Sequence, residues 1–196
     1  MRVGLLGGTF DPIHLGHLRA AENARETLRL DQVFFVPART PPHRGEPGAP
    51  ALDRYAMVAL ATAFRADFVP SDVEISRTGP SYTVDTVSVF KERDPEGTLV
   101  LIIGADNLHQ LPQWREPQRI LEVCEVAVVE RPGEGAAPPP DLGRSRVHHV
   151  EGPGLAIASR DIRARLQAGA SVRHLMADGV AEYIAKRGLY RGETRS

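Results

Sequence analysis

Residues 1–17 read MRVGLLGGTFDPIHLGH, and the order of groups in this stretch decides the fold. Val3 to Leu6 is a short apolar run bounded by Gly7 and Gly8, the pattern of a buried strand that runs straight into a turn. Between that strand and an amphipathic segment starting near Leu15 lie Thr9, Asp11, His14 and His17, which supply hydroxyl, carboxylate and imidazole groups. A strand, a glycine turn and a helix N-terminus make an anion site, because unpaired backbone N–H groups and the helix dipole point at the same place. The stretch therefore predicts a phosphate-binding site.

Working outward, Leu18, Ala21, Ala24 and Leu28 recur at helical spacing between Leu15 and Leu30, and Arg and Glu fill the other face. VFFVP (33–37) is a continuous β-prone run closed by Pro37, which reads as a second buried strand. Strand, helix, strand is a βαβ unit. Its crossover is right-handed almost without exception, so the fold class expected is α/β, a Rossmann-like doubly wound parallel sheet with helices on both faces. Residues 38–51 carry four prolines and two glycines and predict a loop. The Ala-rich segment 52–64 predicts a helix, and 67–75 an extended segment in which Pro70 argues against a central strand. PSYTVDT (80–86) leads into another helix, with Thr83 and Thr86 as candidate caps.

TLVLIIG (98–104) is the most strand-like run in the chain, and its lack of alternation predicts burial on both faces. A helix near 116–123 and a strand near 125–129 follow, then a second Pro- and Gly-rich loop at 130–145. RVHHV (146–150) predicts a further strand, 159–169 a capped helix ending at Gly169, and 178–186 a last helix stopped by Gly188.

At 196 residues the chain is expected to form a single domain, with the helices from about 159 packing on it. Hydrophobic residues at 42% and charged residues at 25% exclude the disordered, fibrous and membrane classes. No apolar run approaches transmembrane length and no signal-peptide pattern opens the chain, so cytoplasmic is the default. Cys124 sits in apolar ILEVCEVA without a partner cysteine and reads as a small core residue rather than a nucleophile. With 24 basic and 25 acidic side chains the net charge is -1, which gives no global field for nucleic acid. Any polyanion must be held by local groups.

The polar motifs fall just after apolar strands: Gly7 to Asp11, Arg39 to Arg44, and Gly104 to Asp106. In an open α/β sheet these ends line one crevice, the usual place for a nucleotide. GxxxxGK[ST] is absent, and the first turn is not a dinucleotide GxGxxG. His14 and His17 lie three apart, as metal ligands can, but neither a nearby Cys nor a third close ligand completes a site, so no metal site is expected. The plainer alternative is a helix cap plus a surface residue; their clustering with Gly7, Gly8, Thr9 and Asp11 favours function.

GGTFDPIHLGH (7–17) resembles the GxFDPxHxGH signature of the bacterial nicotinate-nucleotide adenylyltransferases, in the nucleotidyltransferase superfamily that carries HxGH. PPHR (41–44) is similar to that family's PPHK, PSYTVDT (80–86) to its PSYTxDT, and IGADNLHQLPQW (103–114) to its IGxDxxxxLxxW. IASRDIR (157–163) resembles ISSTxIR, and VAEYIAKRGLY (180–190) its closing helix, so the likeness covers nearly the whole chain. Two positions depart: Arg44 stands for the usual Lys and offers a planar fork in place of a point donor, and Ala158 and Arg160 stand where hydroxyl residues are common.

The resemblance implies adenylyl transfer from ATP to nicotinate mononucleotide, with release of pyrophosphate. The attacking phosphate oxygen is already ionised, so the enzyme needs no general base; it must align two polyanions and stabilise growing charge. On that reading His14 and His17 are the catalytic donors to the ATP phosphates, and Asp11 positions the acceptor or orients a neighbour. Gly8, Thr9, Phe10, Gly16, Gly104, Asp106, Ser159 and Arg163 hold ATP. Arg39 and Arg44 take the mononucleotide phosphate, Tyr82 and Thr83 face its carboxylate, and Trp114 stacks on the ring. Magnesium is expected on the ATP phosphates. The implied partners are these small molecules, with no nucleic acid or membrane, and a homo-oligomer is compatible. The competing readings are the same chemistry on nicotinamide mononucleotide or phosphopantetheine, and a non-catalytic nucleotide sensor on the same fold.

Overall fold

The structure, a computed structural model, describes residues 1–42, 45–130 and 147–191. Among them the strands are β1 (Arg2–Gly8), β2 (Gln32–Pro37), β3 (Phe68–Pro70), β4 (Thr98–Gly104), β5 (Cys124–Val129) and β6 (Val147–Val150). They form one sheet in the order β3-β2-β1-β4-β5-β6, and every neighbouring pair is parallel. The helices are α1 (Leu15–Leu28), α2 (Ala51–Thr62), α3 (Thr83–Arg93), α4 (Ala105–Leu108), α5 (Pro117–Val123), α6 (Ser159–Gln167) and α7 (Asp178–Arg187), with a 3₁₀ turn at Leu111–Gln113.

Side chains alternate across a strand, so a run apolar at every position serves two cores. Val100 and Ile102 of β4 enter one core, shared with Ala21 and Ala24 of α1, Met57 of α2, Ile162 of α6 and Ile184 of α7. Leu99, Leu101 and Ile103 enter the other, with Val87 and Phe90 of α3, Leu108 of α4 and Ile120 of α5. The doubly wound expectation therefore holds, and α6 and α7 complete the first core. The connection from β1 to β2 runs through α1 on one face, while α3, on the other face, leads into β4. The order reverses between β1 and β4, which opens a crevice at their carboxyl ends. Gly8 and Pro37 lie side by side in register at that edge.

Several local expectations shift. Helix α1 stops at Leu28 because Arg29 turns left-handed (φ 50), which frees Leu30 to enter the core at 3% exposure. Only Phe68–Pro70 of 67–75 is strand, and it is an edge strand, where Pro costs no ladder bond. Thr83 and Thr86 do not cap: Tyr82 is the N-cap of α3, Thr83 is its first residue, and the Thr86 hydroxyl donates to Glu74 Oε1 at 2.6 Å. Ser159 likewise is the first residue of α6, with Ala158 at the cap position. Cys124 is buried as expected, its Sγ directed at the Ile120 carbonyl at 3.0 Å. Of the second loop, 131–146 lies outside the described residues.

Candidate active site

The opening motif folds back on itself at the carboxyl end of β1. Phe10 takes a left-handed backbone (φ 48), which buries its ring to 2% exposure under the turn. A Cβ on Gly8 would lie 3.1 Å from that ring, so the glycine leaves room for Phe10. The Phe10 ring meets the His17 imidazole edge to face at 5.0 Å, and the His14 and His17 rings stack at 3.7 Å with planes 22° apart. His14 is the N-cap of α1, and its backbone N–H donates to His17 Nδ1 at 3.2 Å. With Nδ1 accepting, the neutral His17 imidazole carries its proton on Nε2, as a donor. Gly16 makes the stack possible: a Cβ there would sit 3.0 Å from His14 Nδ1.

Asp11, 5% exposed, is bound by the protein itself. The Gly48 N–H donates to its Oδ2 at 2.8 Å, and the Ala49 N–H and the Tyr190 hydroxyl to its Oδ1 at 3.0 and 2.7 Å. Its backbone carbonyl accepts from Arg163 Nη1 at 2.6 Å, and that nitrogen also lies 3.4 Å from Oδ2. Burial, and then the carboxylate beside it, hold the Tyr190 hydroxyl protonated far above its ordinary range. Ser159 donates to the Pro12 carbonyl at 2.9 Å. Ser159 and Arg163, 147 and 152 residues from their partners, are thus brought onto the opening motif, and Arg163 keeps 32% of its side chain exposed.

On the other side of β1, Arg39 is fixed by its backbone and side chain alike. Its N–H donates to Ser81 Oγ at 2.9 Å and its Nη1 to the Ile75 carbonyl at 2.7 Å. Ser81 N–H returns a bond to the Thr40 carbonyl at 3.0 Å, which seats the 80–86 motif against the end of β2. Beneath it Glu74 is buried at 7% exposure; burial raises its carboxyl above the ordinary value, against the hydrogen bonds from Thr86 and Ser81. Tyr82 and Trp114 are half-buried against the same core, and Arg115 lies over the Tyr82 ring at 4.8 Å. Thr9 and Thr83 are half-buried, Gly104 ends β4, and Asp106 is exposed in the first turn of α4. Arg44 lies outside the described residues.

Arg54 and Tyr190 hold the site together although neither is a candidate site residue by sequence. Arg54 is 1% exposed and donates to four carbonyls: Thr9 (2.7 Å), Ala38 (2.6 Å), Arg39 (3.1 Å) and Ala49 (3.1 Å). Burial lowers its pKa, partly offset by the charge of Asp11. A signal was present, since Arg54 shares its helix face with Met57 and Val58, three and four residues on. Tyr190 had no local signal. Among the described residues, no group of three or more His, Cys, Asp or Glu side chains is arranged to hold a metal ion, and no helix is long and apolar enough to cross a membrane.

Comparison with known proteins gives the family and the fold. The family model described as cytidylyltransferase-like matches residues 5–165. A Saccharopolyspora erythraea protein named "Probable nicotinate-nucleotide adenylyltransferase" is 44% identical over 100% of this chain and 92% of its own length. A Thermus thermophilus protein of the same name is 46% identical, over 97% of this chain and 100% of its own. The solved Plasmodium falciparum nicotinic acid mononucleotide adenylyltransferase complexed with NaAD superposes with a TM-score of 0.81, covering 96% of this chain and 97% of its own. At 18% identity it speaks for the fold.

Proposed function

The chain belongs to the cytidylyltransferase-like family and within it to the nicotinate-nucleotide adenylyltransferases, and from that premise we propose that it joins ATP to nicotinate mononucleotide in NAD biosynthesis. The products are nicotinate adenine dinucleotide and pyrophosphate. A phosphate oxygen of the acceptor attacks the α-phosphorus of ATP, and the bond to the bridging oxygen breaks as pyrophosphate leaves with the electron pair. The acceptor oxygen is ionised at neutral pH, so the protein's work is alignment and charge stabilisation.

The observation that carries this reading is the His14–His17 stack at the N-terminus of α1, with His17 Nδ1 accepting a backbone N–H. It sets the His17 ring, whose neutral form carries its proton on Nε2, beside the helix N-terminus at the carboxyl end of β1, where an anion is favoured. His17 serves the α-phosphate and His14 the phosphates beside it. Ser159 and Arg163 serve the triphosphate, Gly8, Thr9, Phe10 and Gly16 shape its bed, and Gly104 and Asp106 take the ribose and adenine edge. Tyr82, Thr83 and Trp114 receive the nicotinate end, while Arg39 and Arg44 attend to the mononucleotide phosphate. Asp11 acts by holding Arg163, Tyr190 and the Gly48–Ala49 backbone rather than by touching substrate. Magnesium would enter with ATP as part of the substrate and would neutralise charge on the phosphates there. The reaction is assigned to the cytoplasm.

The test is pyrophosphate release with ATP, magnesium and either nicotinate mononucleotide or its amide. Release with the acid and not the amide supports the reading. Faster release with the amide reassigns the acceptor, and no release with either removes the enzymatic function.

A further inference from the structure

Arg54 is the most completely buried charged side chain among the described residues, and its four hydrogen bonds there all go to backbone carbonyls at the crevice. Its four acceptors belong to three segments: Thr9 in the turn after β1, Ala38 and Arg39 after β2, and Ala49 before α2. Only a guanidinium offers donors in a rigid fork wide enough to reach carbonyls from several directions at once. At Ala49 the peptide is gripped at both ends, its N–H by Asp11 Oδ1 at 3.0 Å and its carbonyl by Arg54 Nε at 3.1 Å. A buried anion and a buried cation thus meet through one peptide group, and each charge is solvated by fixed dipoles.

The chain of contacts continues outward. Arg39, whose carbonyl Arg54 holds, passes its own N–H to Ser81, and Ser81 returns one to Thr40. The 38–40 segment is therefore fastened from beneath by α2 and from the side by the turn that leads into α3.

We infer that Arg54 is a positioning residue that sets the acceptor wall of the crevice, holding segments 38–40 and 48–49 in register with the phosphate-binding turn. The inference rests on the adenylyl-transfer reading for which substrate is affected, though the geometry it describes does not. Arg54 touches no substrate; it acts through backbone. Thr9, its one contact on the ATP bed, is also held by β1 before it and the buried Phe10 after it, so losing Arg54 loosens segments 38–40 and 48–49 first, while the rest of the ATP side rests on α1, α4 and α6.

Arg54→Lys keeps the charge and replaces the fork by a single nitrogen. Its expected effect is a KM for nicotinate mononucleotide raised at least about tenfold and a lower kcat, with the KM for ATP within about twofold. In parallel, amide hydrogen exchange at Arg39, Gly48 and Ala49 should quicken at least about tenfold, while the β4 amides of Val100 and Ile102 keep their protection. Unchanged acceptor KM, an equal rise in both KM values, or acceleration spread evenly through the sheet overturns the inference. Should Arg54→Lys not fold, Arg54→Ala supplemented with ethylguanidinium replaces it: recovery of acceptor KM with ethylguanidinium and not with ethylammonium supports the inference, and equal recovery with both overturns it. If the unsubstituted protein releases no pyrophosphate, the functional reading fails and the exchange measurement still decides the positioning role.

Discussion

Replacing Gly16 by Ala should separate activity from stability, because the two respond to the same methyl group with opposite signs. The added Cβ would lie 3.0 Å from His14 Nδ1, 3.1 Å from its Cε1 and 3.4 Å from the Leu155 carbonyl. Ordinary contacts of this kind sit at about 3.5–4.0 Å, so the imidazole must retreat by roughly half an ångström. It has little room, since the same ring is stacked on His17 at 3.7 Å. Misplacing a reacting group by 1 Å can cost about 10²-fold, so a shift of half that size predicts a kcat lower by about tenfold. Against this, Ala is the better helix former by up to about 1 kcal/mol, and Gly16 lies in the first turn of α1 without a left-handed backbone. Thermal unfolding of Gly16→Ala should therefore occur at or near the parent temperature. Steady-state pyrophosphate release at saturating ATP and nicotinate mononucleotide measures kcat directly. A kcat within about twofold of the parent would refute the claim that the glycine exists to seat the histidine stack. A large loss of stability would refute it differently, by showing that the clash is absorbed by the backbone.

Three further outcomes follow from the same geometry. His17→Ala should lower the rate at least about a hundredfold if its Nε2–H meets charge that develops in the transition state, and an unchanged rate removes His17 from the catalytic set. Tyr190→Phe deletes a buried hydrogen bond to the Asp11 carboxylate and should cost about 1.5–3 kcal/mol in urea unfolding; a loss below about 0.5 kcal/mol would show that Asp11 does not depend on it. Glu74 is an acid whose carboxyl is raised above its ordinary 4.5 by burial, so the folded state binds its proton more tightly than the unfolded chain does. Its contribution is fully present below the unfolded pKa and is lost as pH rises through the folded one. Glu74→Gln keeps an acceptor for Thr86 and should therefore flatten that decline and unfold later than the parent at pH 8. Identical Tm-against-pH curves for the two proteins would refute the assignment.

What could be read from the sequence was what a strand or a helix declares locally. The uninterrupted TLVLIIG run announced burial on both faces, and β4 does divide its side chains between two cores. Pro70 announced an edge, and β3 is one. The clustering of His14 and His17 after a glycine turn pointed to a candidate site, and the structure stacks the two rings there. Local signals misled at Thr83 and Thr86, because a hydroxyl near a helix start suggests a cap, whereas Tyr82 holds the cap position and Thr86 turns inward to Glu74. Distance along the chain also hid the Asp11–Tyr190 bond, which spans 179 residues. Arg54 was obscured for another reason. A charged residue in an amphipathic helix is ordinarily a solvated one, and only the four carbonyls around it overturn that expectation.

The same topology explains how a chain of net charge -1 can gather two polyanions. In a parallel doubly wound sheet each strand delivers the chain to the N-terminus of the next helix at one edge, so dipoles that would cancel elsewhere add there. Helix α1 begins at Leu15 beside the histidines, and α3 begins at Thr83 beside the Ser81–Arg39 contact. Helix α6 begins at Ser159 against Pro12. Each end carries about half a positive charge; α1 has no acidic residue in its first turn, whereas α3 and α6 carry Asp85 and Asp161 there. Arg163 complements these fixed partial charges with a full one: Asp11 holds one of its nitrogens while part of its side chain stays exposed. On the proposed reading, affinity for phosphates depends on the relative placement of these helix ends, which side-chain contacts such as Arg54 and Asp11 maintain. Added salt should therefore weaken substrate binding less than it would for a protein that relies on an exposed basic patch, because fixed N–H groups in a crevice are screened less than surface lysines and arginines. A KM for ATP that rises as steeply with ionic strength as a surface-patch binder's would show that exposed arginines, not the helix ends, supply the attraction.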